Sequence, residues 1–332
     1  MFGIRRREFV NLLGGAAVAW PLAARAQERK RMRHIGVLVP ATGNDPDFQA
    51  WIGAFQQGLA QFGWIIGRSV RIDTRWAGSR ADDIRKEAAE LAASTPDVIL
   101  AHGASTVGPL LQATRTVPIV FPVLGDPVAA GYVESLARPG GNATGFMTIE
   151  YSMSAKWLEL LREIAPSVNR VAVLRDPTQG SGTSEFAVIQ AIAPSLRVEV
   201  SPVNVRDGGE IERAIATFAR SASGGLIVTT SGAASVHRAL IIEVAARYRL
   251  PTVYYARHFV SGGGLISFGF DYIDQYQRAA RYVDRILKGE KPGDLPVQAP
   301  VKYETVINLK AAKALGLDMP PTLLARADEV IE

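Results

Sequence analysis

The sequence predicts an α/β protein of two lobes, each a parallel, doubly wound sheet, and three observations carry this. Short runs rich in β-branched residues, such as HIGVLVP at 34–40 and IVFPV at 119–123, read as buried strands. Each leads through a polar or glycine turn to apolar residues at helical spacing. The series runs once before about residue 150 and once after it, and repeated βα units close into parallel sheets.

Strand 34–40 leads to Asp45-Pro46. Aspartate caps the free amides of a first helical turn, and proline at the first helical position has no amide to leave unpaired. Phe48, Trp51, Ile52, Phe55, Leu59 and Phe62 then form one apolar face that reads as core, with Gly63 as a stop. Residues 70–76 alternate as a strand, and Ser79 is placed to cap a helix carrying Ile84, Ala88 and Leu91. Strand 98–101 follows, then His102-Gly103-Ala104-Ser105-Thr106 and a helix through Leu110, Leu111 and Ala113. The next unit organises the rest. Strand 119–123 turns at Leu124 and Gly125, Asp126-Pro127 opens a helix with Val128, Tyr132 and Leu136, and 142–148 returns as a strand after Arg138-Pro139-Gly140-Gly141. Such a unit places backbone amides at the carboxyl edge of a parallel sheet, where open α/β sheets bind ligands.

The second series begins after a helix at about 154–164. Strand 171–174 ends in the polar turn Arg175-Asp176-Pro177-Thr178-Gln179-Gly180-Ser181-Gly182, before a helix through Phe186 and Ile189. Strand 198–203 and a helix lined by Ile211, Ile215 and Phe218 come next. Strand 226–229 ends in Thr230-Ser231-Gly232, a helix carries Leu240, Ile241 and Val244, and 253–255 is the final strand of the series. The glycine-rich, then extended stretch 262–271 suits a second crossing between lobes, after a first near 147–151. A helix at 272–287, a proline-containing loop at 289–300, a short helix capped by Asn308 and a last amphipathic helix complete the chain.

The formal net charge of +5 is uneven: residues 1–26 contribute +3 and 28–33 another +3, leaving the body near neutral. A phosphate-tracking surface needs clustered Lys and Arg, so no nucleic-acid partner is expected. Arg5-Arg6-Arg7, the apolar run 9–22 and Ala24-Arg25-Ala26 read as an export signal cleaved after Ala26. Arg6-Arg7-Glu8-Phe9-Val10 is similar to a twin-arginine signal. The apolar run is too short for a good span, so the mature chain is expected in the periplasm without stable membrane insertion.

With no cysteine, thiol catalysis and thiolate metal sites are excluded. His34, His102, His237 and His258 show no metal-ligand spacing; His102 and His258 fall in loops able to face a cleft. Nucleophile-elbow, Walker and dinucleotide motifs are missing, so neither an enzymatic activity nor a cofactor is expected. What remains is hydroxyl and amide groups at strand ends: Ser105 and Thr106, Gly125 and Asp126, Gly180 and Ser181, Thr230 and Ser231. Such groups orient a small ligand by hydrogen bonds. Ser105, Asp126 and Asp176 also suit helix capping. Adjacent turns favouring a carboxylate at Ser105-Thr106 and an ammonium at Asp126 would select a zwitterion, with Tyr255 and Phe268 covering its side chain.

The leader, the central block 119–145, GGGLISFGFD at 262–271 and the carboxyl end from Val306 together resemble the ABC-transporter substrate-binding protein family. The resemblance implies the type I periplasmic-binding-protein fold: Rossmann-like lobes, three crossings and a ligand closed in the cleft between them. It implies discontinuous lobes, 34–148 plus about 268–300 and 149–267 plus about 301–332, acting as a monomer beside an ABC transporter permease. Ser105, Thr106 and Asp126 sit where related amino-acid binders hold ligand carboxylate and ammonium. Departures from the family pattern fall at His102, at Thr230-Ser231-Gly232 and at Ser267-Phe268-Gly269. An exported α/β hydrolase and the effector-binding core of a regulator are the alternative readings.

Overall fold

The computed structural model describes residues 31–148, 152–177, 180–205 and 207–332; the leader and the middle of the first crossing lie outside them. Two sheets form. The first contains β1 (Arg33–Val39), β2 (Val70–Trp76), β3 (Val98–Ala101), β4 (Ile119–Leu124) and β5 (Ala143–Met147), in the order β2-β1-β3-β4-β5 and parallel throughout. The second contains β6 (Arg170–Arg175), β7 (Glu199–Asn204), β8 (Gly224–Val228), β9 (Thr252–Tyr254), β10 (Ile266–Phe270), β11 (Tyr303–Asn308) and β12 (Glu329–Ile331), ordered β12-β11-β10-β9-β8-β6-β7. Only β10 and β11 run antiparallel. The central strands are buried along their length, as expected of sheets covered on both faces.

The chain crosses between lobes three times. After β10 it returns through Asp271 to the first lobe, where helix Tyr272–Leu287 packs against helix Pro46–Gln61 and over β4. Both helices open on an aspartate cap: Asp45 accepts from the amides of Asp47 and Phe48, and Asp271 from those of Ile273 and Asp274. The loop after Leu287 stays on the first lobe, where Thr144 Oγ1 donates to Leu295 O and Gln298 bridges to Phe146. Residues 299–302 then carry the chain back to β11.

Four expectations need correcting. Residues 126–136 form no α-helix: a turn closes as Ala130 N donates to Asp126 O, and Gly131 at φ +70° ends it. Left-handed glycine is a helix stop, here after a single turn. Ser79 caps nothing, since Arg80 holds the N-cap position of helix Ala81–Ala93 without a side-chain bond. The carboxyl terminus ends in β12, paired with β11, after a four-residue helix. The first lobe resumes after Asp271 rather than at about 268, because β10 belongs to the second sheet, pairing with β9, and the crossing comes at the end of the 262–271 stretch.

Close approach explains the glycine in β10. A Cβ on Gly269 would stand 1.9 Å from Tyr255 O. Gly269→Ala is therefore expected to destabilise the second lobe by about 3 kcal/mol, the upper range for overpacking, read as a fall in the denaturant midpoint.

Candidate functional site

The carboxyl edges of both sheets face one gap. On the first lobe, β3 ends at Ala101, and Gly103 at φ +78° turns the chain into helix Ala104–Ala113. Ser105 is exposed in its first turn. Thr106 is fully buried, and its hydroxyl donates to His102 O at 2.9 Å and Gly103 O at 3.1 Å, so it braces the turn from within. After β4, Gly125 and Asp126 are half-buried, and Asp126 Oδ1 accepts from Val128 N at 3.0 Å and Ala129 N at 2.9 Å. Asp126 thus caps its turn.

On the second lobe, Asp176 follows β6 and is buried, as is Ser181 at the start of helix Gly180–Ile192. One turn on, buried Glu185 accepts from Thr230 N at 3.0 Å. It ties the two turns together, and burial pushes its carboxyl up to about 8. Ser231 caps helix Gly232–Val236 through Ala234 N. Tyr255 is buried; its hydroxyl pairs with Ser235 Oγ and donates to Ser231 O, and burial pushes it up to about 12. Phe268 is half-buried and stacks on Tyr303, while its carbonyl accepts from Trp157 Nε1 at 2.7 Å. Tyr255 therefore fastens the second-lobe turns, and Phe268 packs toward β11.

The rings that span the gap are others. Trp51 stacks on Tyr272 at 4.3 Å and on His102 at 5.5 Å, and Phe48 meets both Trp51 and His102. From the second lobe, His258 approaches Trp51 at 6.2 Å and Tyr272 at 5.9 Å. His102 Nδ1 is 2.8 Å from the Tyr276 hydroxyl, whereas neither ring nitrogen of His258 has a hydrogen-bond partner. Burial holds both imidazoles down to about 3, so they are neutral near pH 7; for His258 the neighbouring Arg238 and His102 act the same way. At the rim, Arg238 of the second lobe lies 3.6 Å from both Asp45 and Asp47 of the first.

Phe48 and Trp51 lie on the apolar stripe that the sequence reads as core, and Trp51 is buried there with Phe48 packed against the core, while both also meet rings at the gap. Their place in the first turns after a strand end was the signal that could have found them, and Tyr272, directly after the Asp271 cap, shares it. The gap thus offers backbone amides, neutral polar side chains and aromatic faces, with charge at its rim. Among the described residues no group of three or more His, Asp or Glu could hold a metal ion.

Residues 34–331 match the family model described as ABC transporter substrate binding protein. A tyrosine-binding protein of Clostridioides difficile (strain R20291) is 26% identical over 292 residues, 87% of this chain and 83% of that protein. A Streptococcus pneumonia structure, an ABC domain in complex with L-Trp, superposes with a TM-score of 0.82 at 24% identity, covering 91% of this chain and all of that one. A conserved domain protein of Vibrio cholerae gives 0.82 at 27% identity, over 90% and 100% of the two chains. The folds agree as type I periplasmic-binding-protein-like, and the chain belongs to the ABC transporter substrate-binding protein family.

Proposed function

We propose that this protein is the capture subunit of an ABC importer, exported to the periplasm with its leader removed after Ala26. It takes up a small zwitterionic solute of amino-acid type as the lobes close, and delivers it to a membrane permease. The observation that carries this reading is the meeting of both carboxyl edges around Trp51, Tyr272, His102 and His258, with Arg238 bridging to Asp45 and Asp47. Relatives whose named ligands are tyrosine and L-Trp support an amino acid whose side chain lies against these rings. No described helix is long and apolar enough to cross a membrane.

In this reading Ser105, with the open amides of its helix, holds the ligand carboxylate, and Asp126 with Gly125 holds the ammonium. Closure brings up the second-lobe turns at Asp176, Gly180 and Ser181 and at Thr230 and Ser231. Thr106 acts by keeping the first-lobe turn at 102–106 in shape and Tyr255 by keeping the second-lobe turn at Ser231 in shape, while Phe268 packs toward β11. Asp126→Asn separates capping from binding, because asparagine caps about as well as aspartate. Calorimetry with the co-purified ligand should show a loss of about tenfold to a hundredfold, from a charge-assisted bond of roughly 1.5–3 kcal/mol. Ser105→Ala should also weaken binding. Wild-type affinity in a folded Asp126→Asn protein removes the ammonium assignment.

A further inference from the structure

We propose that the pole of the first lobe remote from the cleft docks on an anionic membrane surface. This goes beyond the solute-capture reading and concerns the amino-terminal edge of the first sheet, where β1 and β2 begin. Four large apolar side chains stand out there: Met32 is 44% exposed, Phe62 39%, Ile65 53% and Ile66 48%. Their exposure is built in. Ser69 Oγ accepts from Ile65 N at 2.8 Å, the amides of Arg68, Ser69 and Val70 all donate to Ile65 O, and Gly67 N donates to Val70 O. Beneath the loop, Trp64 Nε1 donates to Asp284 at 2.9 Å, fixing it to helix Tyr272–Leu287. The two isoleucines cannot fold back to cover themselves.

Cations surround this apolar tip. Arg33 N donates to Ser69 O, which sets Met32 and Arg33 beside the loop that carries Arg68. Arg33 is paired with Asp97, but Arg31, Arg68 and Arg71 have no acidic partner among the described residues; Arg71 reaches only His34 Nδ1, at 3.2 Å. The nearby Asp284 is already held by Lys288 and Trp64. A polar hollow of about 340 Å³ opens between Arg31, His34, Arg71, Ser94 and Thr95, with Met32 at its wall, and it can admit a phosphate group. Residues 28–30 (Glu-Arg-Lys) carry the cationic run onward in sequence, which accounts for the basic segment that solute capture leaves unused.

Apolar side chains at a tip ringed by arginine match a bilayer interface in both layers: hydrocarbon boundary beneath, phosphate above. The ligand edge of the sheet lies at the opposite end of the strands, so docking leaves the cleft open to solute. The partner this chemistry fits is an anionic phospholipid headgroup surface.

The test is co-sedimentation of the purified exported chain with phosphatidylcholine vesicles, with and without phosphatidylglycerol. Binding is expected only with phosphatidylglycerol, and high salt should abolish it. Each arginine near such a surface is worth about fivefold in partitioning, so Arg68→Glu with Arg71→Glu should lower it by at least about tenfold. Ile65→Ser with Ile66→Ser should weaken it at unchanged charge, and both pairs should retain ligand affinity and the wild-type circular dichroism spectrum. Failure to pellet with anionic vesicles, equal pelleting with neutral ones, or wild-type pelleting by both variants overturns the proposal. So does a protein partner that binds this face while lipid does not. Loss of solute binding with vesicle binding intact would count against the solute reading alone.

Discussion

Trp51→Ala is expected to lower stability by about 3–5 kcal/mol, the range for deleting a large core aromatic. Trp51 is 5% exposed and touches rings from both lobes, including Phe48, His102, Tyr272 and His258. The void left behind cannot collapse easily, because the His102–Tyr276 bond and the Asp271 cap fix two of its walls. Cavity cost then adds to lost transfer energy. Trp51→Phe keeps a ring against Tyr272 and should recover at least half of the loss. Urea denaturation measures both, and calorimetry on the same variants reports whether the closed arrangement depends on the ring. A Trp51→Ala protein within about 1 kcal/mol of wild type would show that the interlobe cluster is not tightly packed in solution.

Stability should also depend on pH, and the four groups with large shifts, Glu185, Glu304, His102 and His258, give that dependence opposing parts. Glu185, pushed up by burial to about 8 from 4.5, keeps a proton in the folded chain that the unfolded chain releases. Its contribution therefore falls as pH rises through 4.5–8. Glu304, raised to about 7 chiefly by burial against the opposing charge of Arg257, acts likewise up to about 7. His102 and His258, held at about 3 against 6.5, refuse protons that the unfolded chain accepts. They cost stability as pH falls from 6.5 toward 3. Between 4.5 and 6.5 the four slopes oppose one another, so their sum is nearly flat; it declines on either side. Glu185→Gln should leave stability at pH 5 close to wild type and raise it at pH 8 by about 1–3 kcal/mol, measured by urea denaturation across the range. An unchanged alkaline slope in that variant would mean that Glu185 ionises normally in the folded protein.

Most of the fold was legible because buried parallel strands are short, apolar and β-branched, and aspartate caps mark the helices behind them. Asp45 caps as its sequence context predicts, and Asp271, which the pattern alone does not single out, caps in the same way. The failures share a cause: local pattern was outvoted by a distant partner. Val128, Tyr132 and Leu136 are helically spaced, yet Gly131 breaks the turn and Tyr132 packs against the Gly108 side of the neighbouring helix. Residues 329–331 read as helix but find a strand edge on β11. At the gap, the turns could be located in advance, while the direction of each side chain could not. Thr106 and Tyr255 are hydrogen-bonded inward, and the rings that meet across the gap come from helix starts that sequence alone assigns to the core.

The return of the chain to the first lobe after β10 has a consequence for biosynthesis. Helix Tyr272–Leu287 is the cover of the first sheet beside helix Pro46–Gln61, yet the ribosome makes it only after nearly all of the second lobe. At ordinary elongation rates the unfinished first lobe waits roughly ten seconds for its missing wall, with Phe55, Leu59 and the face of β4 uncovered. The second lobe in turn waits for β11 and β12. The first lobe is complete only once residue 298 has emerged, and the second only with β12. A nascent chain stalled before helix Tyr272–Leu287 therefore leaves both lobes unfinished and is a client for holding chaperones, whereas truncation after residue 302 damages the second lobe alone.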